Sequence, residues 1–410
     1  MKLLNVIHQF YPEFHSGTEK FLLNLSSAVQ RDGHFTQIVT YTLSDPQKQS
    51  QTYLNLYLHN YIYQNLPVTA VRHKTFPDNL HSSCDDPDIY AYATELLKEK
   101  SYDLLHIAHP MRLVPFARAA MDLKIPYMFT LTDFWMMCPK TLLQTSSGSL
   151  CAGPEGGRAC KELCPELKPD FIKHRLDLSK KFMLGAAALV APSRFLAAMF
   201  KKEFPDIKLR IIPHGVDSRY LKTNSKQYRN QDSVVFAYCG TLSPHKGIHL
   251  LLKAFFKLNP KNGKLKLYGP GSHDKDYFNY LKKIAGEDPR IEFCGAFRND
   301  QAGDILSSID VMVLPSLCYE SYSLVLHEAL ACNLPVIVSN IGSMAEKIED
   351  GINGFAFHFG DEKDLMQKLK LILDAPEILN KIKKTASKNI LPIVEEEAYL
   401  YTRLYRNILN

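Results

Sequence analysis

Two glutamates eight residues apart, Glu320 and Glu328, sit in PSLCYESYSLVLHEALAC (315–332), a segment otherwise apolar or small. Two acids so placed suit a ligand with paired hydroxyls, as the acidic residue of dinucleotide folds suits a ribose. On one continuous helix eight residues would turn the second side chain by roughly 80° from the first, at about 100° per residue. Helical facing therefore does not explain the pair. The local pattern does better: VMVLPS reads as a buried strand and Glu320 falls in the loop after it. SLVLHEALAC reads as a helix with Ser323 as N-cap and Glu328 in its second turn. Free amides at that helix start, around Ser323 and Leu324, favour an anion or a hydroxyl-rich ligand. Singly, each acid has a plainer role: Glu320 as a complement to the helix dipole, worth about 0.3–1 kcal/mol, and Glu328 as a solvated side chain.

Other segments place chemistry at similar points. GTLSPHKGIHLLLKAF puts Lys246 directly before Gly247 at a helix start, after the strand-like VVFAYCG. A cation beside free helix amides suits a diphosphate, although a solvated surface lysine is the ordinary alternative. YPEFHSGTEKFLL puts Gly17 between the first strand and the first helix, where a missing side chain lets backbone approach a phosphate. His106 and His109 of DLLHIAHP end a strand pattern, either as acceptor-side groups or as hydrogen-bonded structural histidines.

Four of the nine cysteines, Cys138, Cys151, Cys160 and Cys164, crowd into CPKTLLQTSSGSLCAGPEGGRACKELCP with spacing C-x12-C-x8-C-x3-C. A loop so rich in Gly, Ser and Pro has little apolar surface to bury, and thiolates in a reducing compartment suggest a structural zinc site. Free thiols and a disulfide pair are the alternatives. The remaining five are scattered, four of them in or beside apolar segments of the second half, where Cys behaves as a small hydrophobe.

The elements that must position these groups follow from hydrophobic patterning. In the second half VVFAYCG, KLKLYG, IEFCG, VMVLPS and PVIVSN alternate with helical patterns, the grammar of a parallel sheet covered by helices. The first half repeats it in KLLNVIHQF, FTQIVTYT, PVTAVRH, DLLHIAH, PYMFTLTDF and AALVAPS. At 410 residues two domains are expected. The boundaries read as 1–214 and 215–391, both Rossmann-like, with IIPHGVD (211–217) as linker. The helix in 392–410 is expected to return to the first domain. Open parallel sheets bind ligands outside the carboxyl ends of their strands, so the cleft between two such domains is the expected site.

Taken together these segments resemble the retaining glycosyltransferases of family 4, of GT-B fold, over nearly the whole chain. The acid pair of ESYSLVLHEALACNLPVIVSN matches the family's E-x7-E motif; HKG, IIPHGVD, APSRFLAAMF, YGPGS and DGINGF fall in the family's order. The resemblance implies that Glu320 contacts donor-sugar hydroxyls, Glu328 the nucleotide ribose, Lys246 the diphosphate, and the amides of Ser323 and Leu324 the phosphate or sugar. Gly17 would lie under the diphosphate, and Gly240 and Thr241 would line the donor site. The implied reaction moves a sugar from a nucleotide diphosphate to an acceptor hydroxyl with retention, without a catalytic metal. Its setting would be polysaccharide, glycolipid or cell-envelope glycan synthesis. Two departures bear on catalysis: Thr241 stands where the family commonly has Arg, and Thr132 of TLTDFW where it often has His, leaving Asp133 to assist. Ser323 and Asn333 replace family glycines, the second mildly, since Asn tolerates a left-handed helix end. A non-catalytic nucleotide-sugar-binding or partner protein is the competing reading, motivated by the two threonines. A nucleotide-dependent dehydrogenase ranks last because the first strand lacks a full GxGxxG.

Composition sets the remaining bounds. Hydrophobic residues make up 46% and charged residues 22%, an ordinary globular mixture. The start, MKLLNVIHQF, resembles no signal peptide, and FMLGAAALVAP is too short for a membrane span, so a cytoplasmic protein is expected. The net charge of +6 is concentrated in residues 161–210, where 11 Lys or Arg face 6 Asp or Glu. That region permits a lipid-linked acceptor and peripheral contact at the inner membrane face; a solvated helical surface is the alternative. No nucleic-acid partner is indicated.

Overall fold

The computed structural model describes residues 1–46, 49–259, 261–271, 274–386 and 391–410. Two compact units divide the chain: Met1–Gly215 with Val394–Asn410, and Val216–Ile393. The boundaries read from the sequence, after 214 and after 391, lie one and two residues from these.

The first unit is built on nine strands, β1 (Lys2–Ile7), β2 (Phe35–Tyr41), β3 (Gln51–Tyr53), β4 (Leu56–Tyr63), β5 (Leu66–His73), β6 (Leu104–Ile107), β7 (Tyr127–Thr130), β8 (Ala188–Ala191) and β9 (Leu209–Ile211). Their order is β3-β4-β5-β2-β1-β6-β7-β8-β9. From β5 to β9 all neighbours are parallel, and their near-continuous apolar runs fit strands covered on both faces. β3 and β4 add an antiparallel hairpin that the apolar-run pattern misses, because in LYLHNYIY buried Leu56 and Leu58 alternate with Tyr57 and His59 and exposed Asn60 follows. β9 is likewise an addition. β1 and β6 are the neighbours at which the order turns, so the loops after them, carrying His8 and His109, leave the same sheet edge on diverging paths.

The helix Val394–Leu409 closes this unit. Tyr401 and Tyr405 are buried in the core with Phe21 and Leu22, and each fully buried aromatic contributes about 1.5–3 kcal/mol. Their hydroxyls are also paired: Tyr405 with Nδ1 of His106, and Tyr401 with Oγ1 of Thr130, both at 2.8 Å. Glu397, one turn earlier, accepts from the Gly215 amide at 2.8 Å and pairs with Nδ1 of His214 at 2.9 Å. The His-Gly of IIPHGVD is thus fastened by an acid 182 residues away in sequence.

The second unit has six parallel strands, β10 (Val234–Cys239), β11 (Gly263–Tyr268), β12 (Ile291–Gly295), β13 (Val311–Leu314), β14 (Val336–Ser339) and β15 (Phe355–Phe357), in the order β12-β11-β10-β13-β14-β15. The first five are those read from the sequence, and β15 extends the sheet with a three-residue strand that begins at the last residue of DGINGF. The chain lays β11 and β12 to one side of β10, then β13 to β15 to the other. The crevice at the carboxyl ends of β10 and β13 is therefore the topological switch point, where open α/β sheets bind ligands.

Candidate functional site

In the second unit Lys246 follows β10 and Glu320 follows β13, one on each side of that crevice. A short 3-10 turn, Pro244–Lys246, precedes the helix Ile248–Leu258, and Gly247 joins them at φ 70°. A Cβ at Gly247 would stand 2.0 Å from the Pro315 carbonyl oxygen, so only glycine lets the two loops touch. The Leu317 amide donates to the His245 carbonyl at 2.7 Å and completes the seam. Across it Lys246 Nζ donates to Glu320 Oε1 at 2.7 Å, and Ser316 Oγ donates to the same oxygen at 2.7 Å.

The pair keeps both charges. Burial alone would raise the Glu320 carboxyl, but the Lys246 charge outweighs it and holds its pKa below the ordinary carboxylate value. Burial would likewise lower the Lys246 ammonium, and Glu320 outweighs that and raises it. Burial, assisted by Lys246, lowers neighbouring His245 to about 4, leaving it neutral at pH 7. Lys246 and Glu320 retain 27% and 15% side-chain exposure, enough for a ligand to reach the pair.

Glu328 lies in the second turn of the helix Leu324–Ala331, whose N-cap Ser323 accepts from the Leu326 amide. Its carboxylate adds to burial in raising the thiols of Cys239, at the end of β10, and Cys332, the latter to about 11. A turn and the start of a helix separate Glu328 from Glu320, so the two acids do not lie along one helix. Gly240 leaves β10 at φ 146°, and the carbonyl of exposed Thr241 accepts from the Tyr238 hydroxyl at 2.9 Å. Beyond them Leu242, Gly269, Pro270, Gly271, Phe293 and Ala296 line a depression at the ends of β11 and β12. Of YGPGS, Gly269–Gly271 belong to this rim and Ser272 lies outside the described residues. Leu242, Phe293 and Ala296 were not singled out from the sequence, where each belongs to an apolar run or its end.

In the first unit the polar groups assemble at the ends of β1, β6 and β7. His109 Nε2 lies 2.8 Å from Asp133 Oδ2, and the Met111 amide faces His109 Nδ1 at 3.3 Å, so Nε2 carries the proton and donates it to Asp133. Asp133 also accepts from the Trp135 amide at 2.8 Å. His8 stacks on His109 with ring centroids 3.8 Å apart. Burial first, then His109 and Arg112, depress His8 well below its usual pKa. Glu19, fully buried, stands 3.8 Å from His8 Nε2 and accepts from the Ser16 amide at 2.7 Å, fixing the start of the helix Gly17–Arg31 with Gly17 exposed at its first position. Thr132 Oγ1 donates to the Ala108 carbonyl at 3.3 Å. His8, Glu19 and Arg112 were missed from the sequence, where each is a lone polar residue beside an apolar run.

Of the two readings open for His106, acceptor-side group or hydrogen-bonded structural histidine, the structure shows the second: it is fully buried between Tyr405 and Thr130, and burial lowers it to about 3. It is a neutral core group. Arg175, counted in the basic region, is also a core residue: it donates to the Ser82 carbonyl at 3.0 Å, bonds the carbonyls of Trp135 and Met136, and lies over the Trp135 ring.

The four clustered cysteines are buried and unpaired. Burial and then Cys138, Cys151 and Cys164 raise the Cys160 thiol to about 12.

Comparison with known proteins follows the same division. The family model described as Glycosyltransferase Family 4 matches residues 15–220, half of the chain, and the one described as Glycosyl transferases group 1 matches residues 221–389. A lipopolysaccharide 1,2-N-acetylglucosaminetransferase of Salmonella typhimurium is 30% identical over 183 residues, covering 41% of this chain and 48% of that protein. A D-inositol 3-phosphate glycosyltransferase of Stackebrandtia nassauensis is 27% identical over 189 residues, 42% of each. The chain thus spans about half the length of these curated relatives. Among solved structures, sucrose-phosphate synthase from Thermosynechococcus elongatus matches with a TM-score of 0.72 at 16% identity, covering 100% of this chain and 99% of that one. Anabaena HepE in complex with UDP and glucose matches with 0.71 at 18%, covering 99% and 100%. The shared fold is GT-B.

Proposed function

The chain belongs to Glycosyltransferase Family 4, and from that premise we propose that it transfers a sugar from a nucleotide diphosphate donor to an acceptor hydroxyl with retention of anomeric configuration. The observation that carries the proposal is the Lys246–Glu320 pair at the switch point of the second sheet, 2.7 Å apart and charged. A diphosphate there meets the Lys246 ammonium and the amides at the start of the helix Leu324–Ala331. Glu320 has one oxygen committed to Lys246 and Ser316, which leaves Oε2 to accept from a donor-sugar hydroxyl. Glu328 takes the ribose hydroxyls, and the base lies over the Gly269–Gly271 rim. The glycosidic bond to the diphosphate breaks as the acceptor oxygen bonds the same carbon on the same face, and the acceptor proton passes to the leaving phosphate oxygen. Lys246 stabilises the charge that develops on that phosphate, so no catalytic metal is required.

Thr132, Asp133 and His109 are proposed for the acceptor side, with Asp133 held in place by His109. Thr241, without a cation, leaves Lys246 as the phosphate cation of this loop. An acceptor in cell-envelope or other glycan synthesis suits the activities of the relatives, and the basic surface of residues 161–210 suits a lipid-linked acceptor on an anionic membrane.

The test is a panel of nucleotide sugars with binding and hydrolysis read separately. One donor should bind and be slowly hydrolysed, and turnover should survive EDTA. Glu328→Ala should weaken that donor's binding at least tenfold. Donor binding equal to the parent in Glu328→Ala would overturn the ribose assignment, and binding without turnover for any acceptor would overturn the enzymatic one.

A further inference from the structure

The loop 138–164 joins β7 to the helix Pro169–Gly185 with few apolar contacts of its own, yet its path is tightly specified. Within it Thr141, Leu143 and Glu155, none of them glycine, hold φ of 63°, 48° and 54°. Such residues cost on the order of 1–3 kcal/mol each and persist only where the surroundings over-determine them. All four cysteines along this path are buried, at 6–8% exposure, together with Leu143, Thr145 and Ala159. Cys160 and Cys164 are one helical turn apart, the Cys164 amide donating to the Cys160 carbonyl at 2.9 Å, so both sulfurs leave one end of the short helix Arg158–Leu163.

We propose that Cys138, Cys151, Cys160 and Cys164 bind one zinc ion as a tetrathiolate that staples this loop beside Asp133. On binding, each thiol gives its proton to solvent and its sulfur lone pair to the metal, with no change of oxidation state. Among the described residues no three of the four sulfurs stand within 4.8 Å of one another, against about 3.8 Å around a tetrahedral ion with 2.3 Å bonds. Loading the site therefore draws the loop inward by side-chain rotation and small backbone shifts. The trio that does close to 4.8 Å is His73, Asp86 and Asp88. It is already accounted for: His73 Nε2 lies 3.1 Å from Asp86 Oδ2, and the other Asp86 oxygen caps the helix Pro87–Lys100. That trio supplies the control.

The full chain, purified under reducing conditions without chelator, should carry about one zinc per molecule by elemental analysis. Cobalt in its place should give the visible bands of a tetrahedral ion and near-ultraviolet sulfur-to-cobalt charge transfer. Cys160→Ser and Cys164→Ser should lose at least four-fifths of the metal, while Cys84→Ser and His73→Ala keep it. Absence of zinc together with absence of the cobalt spectrum overturns the proposal. So does metal retained by Cys160→Ser and lost by His73→Ala, or a disulfide among the four mapped in zinc-free protein alkylated without reductant. The cobalt titration of the unmodified chain decides the matter should the serine variants fail to fold.

Discussion

Lys246 is the side chain on which the proposed donor site turns, because it is the cation that bridges the loops after β10 and β13. Lys246→Ala removes the charge and leaves Glu320 half-buried beside Ser316 alone. Loss of one such electrostatic contact should lower kcat by about 10²–10³-fold, measured with the donor found in the panel. Lys246→Arg, whose planar fork does not reproduce a point contact, should restore only part of it. The pair also sets a pH expectation. Glu320 is depressed, so its share of the pairing is present above the ordinary carboxylate range near 4.3 and is lost as pH falls through its lower folded value. Lys246 is raised, so its share is present below its ordinary value near 10.4 and is lost as pH rises through its higher one. The donor dissociation constant should therefore be flat from pH 6 to 9, and an inflection near 7 in calorimetric titrations would show that another group governs binding.

Among the elements, the seam between the Pro244–Lys246 turn and the loop after β13 makes Gly247 the least replaceable backbone position. Gly247→Ala puts a methyl 2.0 Å from the Pro315 oxygen at a φ unsuited to alanine. It should weaken donor binding at least tenfold while the first unit keeps its melting behaviour, which calorimetry resolves. In the first unit Tyr405→Phe strands a buried His106 nitrogen, and a destabilisation of about 1–3 kcal/mol is expected in urea unfolding followed on that unit. What the sequence disclosed follows the same physics. Buried parallel strands are local apolar runs, so VVFAYC and VMVL were readable, and so was the strand-turn-helix that separates Glu320 from Glu328. β4 was hidden because its exposed face is polar, and FAF of β15 because three residues carry no period. The cluster of His8, Glu19, His109 and Asp133 was only half legible, since its members come from three strand ends and a helix start more than a hundred residues apart, and strand order alone brings them together. His106 and His109 look alike in DLLHIAHP; one faces the returning helix and the other lies past the strand end.

For the molecule as a whole, charge and connectivity matter more than any single contact. Lys173, Lys181, Arg194, Lys208 and Arg210 of the basic region are exposed, and among the described residues no helix is long and apolar enough to cross a membrane. At about 1 kcal/mol per cation near an anionic surface, the chain should co-sediment with vesicles rich in anionic lipid at low salt and be released at high salt. No sedimentation at low salt would remove the membrane-bound acceptor from consideration. Connectivity has a separate effect, on biosynthesis. The first unit is interrupted by the whole of Val216–Ile393 before Val394–Asn410 supplies Tyr401 and Tyr405 to its core. On the ribosome the second unit, contiguous in the message, can finish folding first. The first must wait with Phe21, His106 and Thr130 uncovered until the last helix emerges. A nascent chain that ends before residue 394 would thus present a completed second unit and an unfinished first one that a chaperone would recognise.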